Sequence, residues 1–112
     1  MTLDELKNQG CNVDEGLKRC MNNEAFYLKM ADMFFADGSK LEALGDALNA
    51  NDLDEAFEQA HALKGVCANL ALTPLEAKIS EITELLRAHT QMDYTDMYKE
   101  IMQLFNKIKN NE

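Results

Sequence analysis

Apolar residues recur at helical spacing along most of the chain. From Asn51 onward the repeat predicts a helix over about 52–70, with Asn51 or Asp52 as its cap and two carboxylates in its first turn. Its apolar positions form one stripe that should face the core: Leu53, Ala56, Phe57, Ala60, Leu63, Cys67 and Leu70. No segment shows the apolar–polar alternation of a half-buried strand, so the pattern predicts an all-α protein.

The same periodicity predicts three further long helices. One spans about 74–89, where Thr73 can cap, Pro74 takes the first helical position and Glu76 completes a capping box. Another spans about 94–109. Upstream, one long helix over about 24–50 is expected to bend or break near Gly38, with an apolar face made of Phe26, Met30, Met33, Phe34, Leu41, Leu44 and Leu48.

Two short helices, over about 2–8 and 13–20, precede these four long ones. The connectors between the long helices have roughly two to five residues, which leaves consecutive helices little choice but to pack antiparallel. We therefore expect an up-and-down four-helix bundle with the short helices packed across one end. A chain of 112 residues suits a single domain over 1–112.

Composition and charge restrict the classes of partner. The net charge of −9 argues against nucleic acid and against anionic membrane surfaces, so another protein is the expected partner. No apolar run reaches the length of a membrane span and the N-terminus lacks a signal pattern, which predicts a cytoplasmic protein. We expect a monomer with reduced cysteines at positions 11, 20 and 67 and with no metal site. The seven methionines are interpreted as core filling.

The candidate chemistry lies on the helix over 52–70. His61 falls at the border of the apolar stripe, where an imidazole is exposed and can attack a phosphoryl donor. Lys64, three residues later, can lie next to a phosphoryl group on His61 and would tune transfer by about 1 kcal/mol. Both residues also have an ordinary interpretation as a boundary histidine and a solvated surface lysine.

Gly65 is not explained by helix formation alone, because a glycine inside a helix lowers helix stability by about 1 kcal/mol relative to alanine. Close approach of another protein would offset that cost, and Ala68 extends the low-profile strip one turn further. Glu58 and Gln59 either contact such a partner or face solvent. His89 near a helix C-terminus is explained by the helix dipole, and a dyad of His61 with Cys67 is not expected because the two residues face different ways.

The pattern His61-x-Leu63-Lys64-Gly65, followed by a Thr-Pro helix start, resembles the signature of histidine-containing phosphotransfer (HPt) domains of multistep phosphorelays. One departure is Ala71, where members of that family commonly have glycine. The resemblance implies a four-helix bundle whose histidine accepts a phosphoryl group from the aspartate of one receiver domain and passes it to the aspartate of another. It also implies that His61 is the phosphoacceptor, that Lys64 stabilises the phosphoryl group and that Gly65 admits the receiver.

The resemblance further implies that this chain needs no cofactor, because magnesium and the catalytic acidic residues belong to the receiver. The implied partners are receiver domains of response regulators or of a hybrid sensor histidine kinase. The alternative is a helical adaptor that binds a receiver or another signalling protein without being phosphorylated. An autonomous enzyme is not expected, because the sequence has no nucleotide-binding loop and no second acid or base at a useful spacing.

Overall fold

The computed structural model describes all 112 residues and contains seven helices and no strand. The helices are α1 (Leu3–Asn8), α2 (Val13–Arg19), α3 (Glu24–Ala36), α4 (Ser39–Asn49), α5 (Leu53–Asn69), α6 (Thr73–Arg87) and α7 (Thr95–Asn110). The prediction of an all-α fold is confirmed. None of the seven helices is both long and apolar enough to cross a membrane.

The long helix predicted over 24–50 is divided into α3 and α4. Asp37 has an extended backbone, with φ −107° and ψ 97°, and ends α3. Its carboxylate accepts a hydrogen bond from the backbone N–H of Ser39 at 3.0 Å, so the side chain replaces a helical backbone bond. Helices α3 and α4 follow each other and together form one of the four helical segments of the bundle. The other three segments are α5, α6 and α7.

The buried face of α3 differs from the predicted one. Tyr27, Ala31 and Phe35 are buried, whereas Phe26, Met30 and Met33 are 48%, 37% and 54% exposed. The Tyr27 hydroxyl donates a 2.8 Å hydrogen bond to the carbonyl of Leu70, which fixes the rotation of α3 against α5. The prediction that Phe26, Met30 and Met33 face the core was therefore wrong. The interpretation of the methionines as core filling also fails for Met21 and Met92, which are exposed.

Helices α4, α5, α6 and α7 pack in sequence against one another. The bundle closes because α7 returns to α3 and α4. Phe105 of α7 lies against Phe35 of α3, with ring centroids 5.1 Å apart, and the Tyr98 hydroxyl donates to the carbonyl of Leu41 in α4 at 2.9 Å. The predicted four-helix architecture is confirmed.

The short helices α1 and α2 cover the end of the bundle where α5 turns into α6. The backbone N–H of Asn12 donates to the carbonyl of Ala71 at 3.1 Å and to the hydroxyl of Thr73 at 3.2 Å. Gly10 lies next to Pro74, close enough that a Cβ there would be 3.2 Å from the proline ring. These contacts hold the start of the chain against the turn that orients α5 and α6.

The start of α6 differs from the predicted capping box. Leu72 takes the N-cap position and no side chain caps the helix. The Thr73 hydroxyl instead donates to the carbonyl of Ala71 at 3.2 Å while it accepts the bond from Asn12. The capping-box prediction for Thr73 and Glu76 was wrong, because packing of the N-terminal segment uses the hydroxyl that would have capped α6.

Candidate functional site

Helix α5 presents the candidate site and is firmly placed in the bundle. The Asp52 carboxylate caps it by accepting the backbone N–H of Glu55 at 3.2 Å. Its inner face is buried through five side chains: Leu53, Ala56, Ala60, Leu63 and Cys67. Since α4 and α6 flank this helix on either side, its outer face is held on a rigid support.

His61 lies on the outer face of α5 and is exposed. Its ring stacks on the ring of Phe57 one turn earlier, with centroids 5.5 Å apart and planes inclined by 20°. Phe57 was predicted to face the core but is half-buried, because its ring also contacts the His61 ring on the outer face of α5. The stack limits the rotation of the imidazole without enclosing it, so the ring stays accessible to a large partner.

Two cations lie on the α6 side of His61. Lys64 Nζ is 3.7 Å from Glu84 Oε1, and Arg87 Nε is 3.3 Å from Glu84 Oε2. The guanidinium carbon of Arg87 also lies 5.0 Å from the centroid of the Phe57 ring, in cation–π geometry. The sequence indicated Lys64 alone, so Arg87 and Glu84 are additions from the structure.

Gly65 lies on the other side of His61 and faces open space. A Cβ built there would meet nothing within 4 Å, so packing within the protein does not require a glycine. The other two helix-interior glycines behave differently. A Cβ on Gly16 would lie 2.6 Å from the Tyr27 ring, and one on Gly45 would lie 2.6 Å from the Tyr98 hydroxyl. Of these three glycines, Gly65 alone has no partner inside the protein that explains it.

A family model for the Hpt domain matches residues 29–111, which include the whole of α4, α5, α6 and α7 and therefore the site around His61. The chain belongs to the Hpt domain family. No curated protein and no solved structure matches it significantly. Membership makes the chain a phosphotransfer-capable domain of the phosphorelay type. Hpt domains are phosphocarriers rather than kinases, and they interact with receiver domains.

Three residues of this Hpt domain were predicted to contact a partner. Glu58 is exposed on the outer face of α5, and Ala68 is half-buried two turns beyond His61. Gln59 is also half-buried, and its amide donates a 2.8 Å hydrogen bond to the Glu55 carboxylate. Gln59 thus already has a partner in the same helix, which leaves Glu58 and Ala68 as the freer contacts of the three.

An apolar groove continues the outer face of α5 toward α3. The α3 side of the groove is lined by Met30, Met33 and Phe34, and the α5 side by Val66, Asn69 and Leu70. Asp37 and Lys40, from the junction of α3 and α4, complete the lining. Around α5, Gly65 and Asn69 lead from His61 to this groove, because successive residues rotate by about 100°. The Hpt domain therefore presents His61 between two cations on one side and an apolar surface on the other.

The remaining candidates from the sequence lie away from this surface. Cys67 is fully buried, and burial raises the pKa of its thiol to about 12, so it cannot act with His61. His89 follows the C-cap of α6 with φ 55°, and its Nδ1 is 3.7 Å from Asp54 Oδ1 in a highly exposed pair. No group of three or more His, Cys, Asp or Glu side chains is arranged to hold a metal ion.

Proposed function

We propose that His61 accepts a phosphoryl group from the aspartyl phosphate of one receiver domain and passes it to the aspartate of another. One observation carries the proposal: in a chain of the Hpt family, the exposed imidazole of His61 stands on a rigid helix with Lys64 and Arg87 beside it. The other histidine, His89, follows the C-cap of α6, and its Nδ1 faces the carboxylate of Asp54 at 3.7 Å.

In the first transfer the unprotonated ring nitrogen of His61 attacks the phosphorus of the receiver's aspartyl phosphate. An N–P bond forms, the P–O bond to the aspartate breaks, and the bonding electrons leave with the carboxylate. The proton on the other ring nitrogen stays in place, so no general base is needed. In the second transfer the carboxylate of another receiver attacks the phosphohistidine and the N–P bond breaks.

The surroundings of His61 suit this chemistry. The stack on Phe57 restricts the ring to few orientations, which favours in-line attack. Lys64 and Arg87 are positioned to approach phosphoryl oxygens, and a guanidinium can bind two of them at once. Magnesium is expected on the receiver, and this chain is expected to supply no cofactor of its own.

The docking surface we propose extends from His61 over Gly65, Glu58 and Ala68 to the groove walled by Met30 and Met33. Gly65 lets a receiver backbone approach the imidazole, and the apolar side chains are available to lose contact with water on binding. These roles make the otherwise costly glycine and the exposed methionines parts of the same surface.

The test is transfer from a panel of receiver domains that have been phosphorylated with acetyl phosphate and freed of it. Intact mass should show one added phosphoryl group on the wild-type chain, lost in acid and retained in base. His61→Gln should stay folded and take up no label, whereas the matched variant His89→Gln should be labelled like wild type. Label on His61→Gln would exclude His61 as the acceptor.

Two further outcomes separate this function from its alternatives. A wild-type chain that binds receivers but never becomes labelled would instead be the non-phosphorylated adaptor. Incubation with ATP and magnesium alone should leave the mass unchanged, because the chain has no nucleotide-binding loop. A phosphorylated product in that reaction would make the protein a kinase.

A further inference from the structure

Glu84 on α6 joins the two cations beside His61. Its carboxylate uses one oxygen for each: Oε1 is 3.7 Å from Lys64 Nζ and Oε2 is 3.3 Å from Arg87 Nε. In the unmodified protein both positive charges are therefore directed to a carboxylate of the same chain.

The pairs are weak enough to exchange. The side chains of Lys64, Arg87 and Glu84 are 33%, 51% and 58% exposed, so solvent screens both ion pairs. A phosphoryl group on His61 would bring a charge of about −1.5 to −2, compared with −1 on the carboxylate, and three acceptor oxygens. Arg87 is already close to the site, because its guanidinium lies over the ring on which His61 stacks.

We propose that Glu84 competes with the phosphoryl group on His61 for Lys64 and Arg87, and thereby sets how strongly the site retains that group. The inference rests on the proposed function, since it concerns the phosphorylated form of His61. When His61 is phosphorylated, the two cations move from the carboxylate to phosphoryl oxygens. When the phosphoryl group leaves, they return to Glu84, which lowers the free-energy difference between the two forms.

Competition of this kind keeps a phosphohistidine easy to discharge. A carrier that stabilised its phosphoryl group with two permanently free cations would pass it on less readily to the next aspartate. Glu84 is a positioning residue in this scheme, because it acts through Lys64 and Arg87 rather than on the reacting atoms.

The experiment loads His61 without any receiver, by use of potassium phosphoramidate. The N–P bond of phosphoramidate breaks, a new N–P bond forms on His61 and ammonia leaves. The lifetime of the phosphohistidine is then followed by intact mass. The phosphoryl oxygens of phosphohistidine carry more negative charge than they do in the metaphosphate-like transition state of hydrolysis. Nearby cations therefore stabilise the phosphohistidine more than the transition state, and they should slow hydrolysis.

Glu84→Gln should lengthen this lifetime by roughly three- to tenfold, because it frees both cations. Lys64→Gln and Arg87→Gln should each shorten it. Glu81→Gln is the matched control, since it removes the same charge one turn earlier on the exposed face of α6. The effect of Glu84→Gln should shrink in 1 M salt and should disappear when Lys64 and Arg87 are both glutamine.

Equal lifetimes for Glu84→Gln and Glu81→Gln would overturn the inference, as would an effect that survives loss of both cations. Failure of His61 to take up phosphoryl from phosphoramidate would remove its premise. If loading and the Glu84 effect are seen but no receiver in the panel transfers to His61, the relay function fails while the competition stands. The two proposals therefore have separate outcomes.

Discussion

The ring of His61 stacks on the ring of Phe57 one helical turn earlier, with centroids 5.5 Å apart and planes 20° from parallel. The stack restricts the imidazole to few orientations on an exposed helix face. Arg87 contacts the same Phe57 ring from α6, so the orientation of the imidazole is linked to the neighbouring helix. Phe57 therefore contacts both the candidate acceptor and Arg87.

Phe57→Leu should slow phosphoryl transfer to His61 by about two- to fivefold, because releasing one side-chain rotation costs on the order of 0.5–1 kcal/mol. Phe57→Tyr keeps the aromatic plane and should transfer at the wild-type rate. Initial rates with one phosphorylated receiver measure the effect, and thermal unfolding checks that both variants are folded. Equal rates for the leucine and tyrosine variants would mean that the stack has no role in transfer.

Gly65→Ala should separate stability from function. No atom of the protein lies within 4 Å of the added methyl, so the variant should gain up to about 1 kcal/mol of helix stability. A receiver that must approach this backbone should meet the methyl, and transfer should fall by roughly five- to a hundredfold, as expected for about 1–3 kcal/mol of overpacking. Urea denaturation and transfer rates give the two readouts.

Gly16→Ala provides the opposite case. Its methyl would lie 2.6 Å from the buried Tyr27 ring, so this variant should lose stability while the surface around His61 is unchanged. If Gly65→Ala transferred as fast as wild type, Gly65 would have no part in admitting a receiver.

Met33→Glu should weaken receiver binding by roughly five- to tenfold, because it replaces an apolar side chain of the groove beside α5 with a charged one. Met92→Glu is a matched control: Met92 is 44% exposed, compared with 54% for Met33, but lies in the connection between α6 and α7. Titration calorimetry with one receiver domain compares the two variants at equal net charge. Equal affinities would place the docking surface elsewhere.

The sequence predicted α5 and the exposure of His61 well, because α5 has a single apolar stripe. That stripe fixes which side chains face the core, and His61 lies outside it. It failed for α3, which has two apolar faces of similar strength. Tyr27, Ala31 and Phe35 form one face, and Phe26, Met30 and Met33 form the other. The Tyr27 hydroxyl bond to Leu70 selects between them, and helical periodicity carries no information about that contact.

The sequence did not predict that Arg87 and Glu84 belong to the site, because they lie on α6 while His61 lies on α5. Antiparallel helices have the same rise per residue, so positions equally far from the connecting turn lie at similar heights. The turn between α5 and α6 is centred near residue 71, which places Lys64 level with about residue 78 and His61 level with about residue 81. Glu84 and Arg87 lie about six residues further along α6, and long side chains make the contacts. Which side of α6 faces α5 still depends on packing that the sequence pattern leaves open.

Ala71→Gly should stabilise the protein. Ala71 follows the C-cap of α5 with φ 53°, and the N–H of Leu72 donates to the carbonyl of Cys67 at 2.9 Å, as in a Schellman motif. Left-handed backbone costs alanine about 1–2 kcal/mol, while glycine loses about 0.5–1 kcal/mol in chain entropy, for a net gain of about 0.5–1 kcal/mol. The midpoint of urea unfolding should rise and transfer to His61 should not change. A lower midpoint would contradict the expected relief of strain.

The buried thiol of Cys67 should make the protein sensitive to alkaline pH. Burial raises its pKa to about 12 in the folded state, compared with about 8.5 for a solvated thiol. Because the unfolded chain loses this proton first, the stabilising contribution is complete below about pH 8.5 and is lost as pH rises toward 12. The free energy of unfolding should fall across this window, with a slope that approaches about 1.4 kcal/mol per pH unit for this thiol.

Urea unfolding between pH 8 and 11 measures that slope, and Cys67→Ala should reduce it by up to about 1.4 kcal/mol per pH unit. Burial raises the pKa of Cys11 to about 11, so its thiol also contributes stability that is lost with rising pH, over a narrower pH range than for Cys67. A slope unaffected by Cys67→Ala would show that the thiol is not the titrating group. In that case another group would have to lose its proton more readily in the unfolded chain, and Tyr27, with a pKa raised by burial to about 12, would be the next residue to replace.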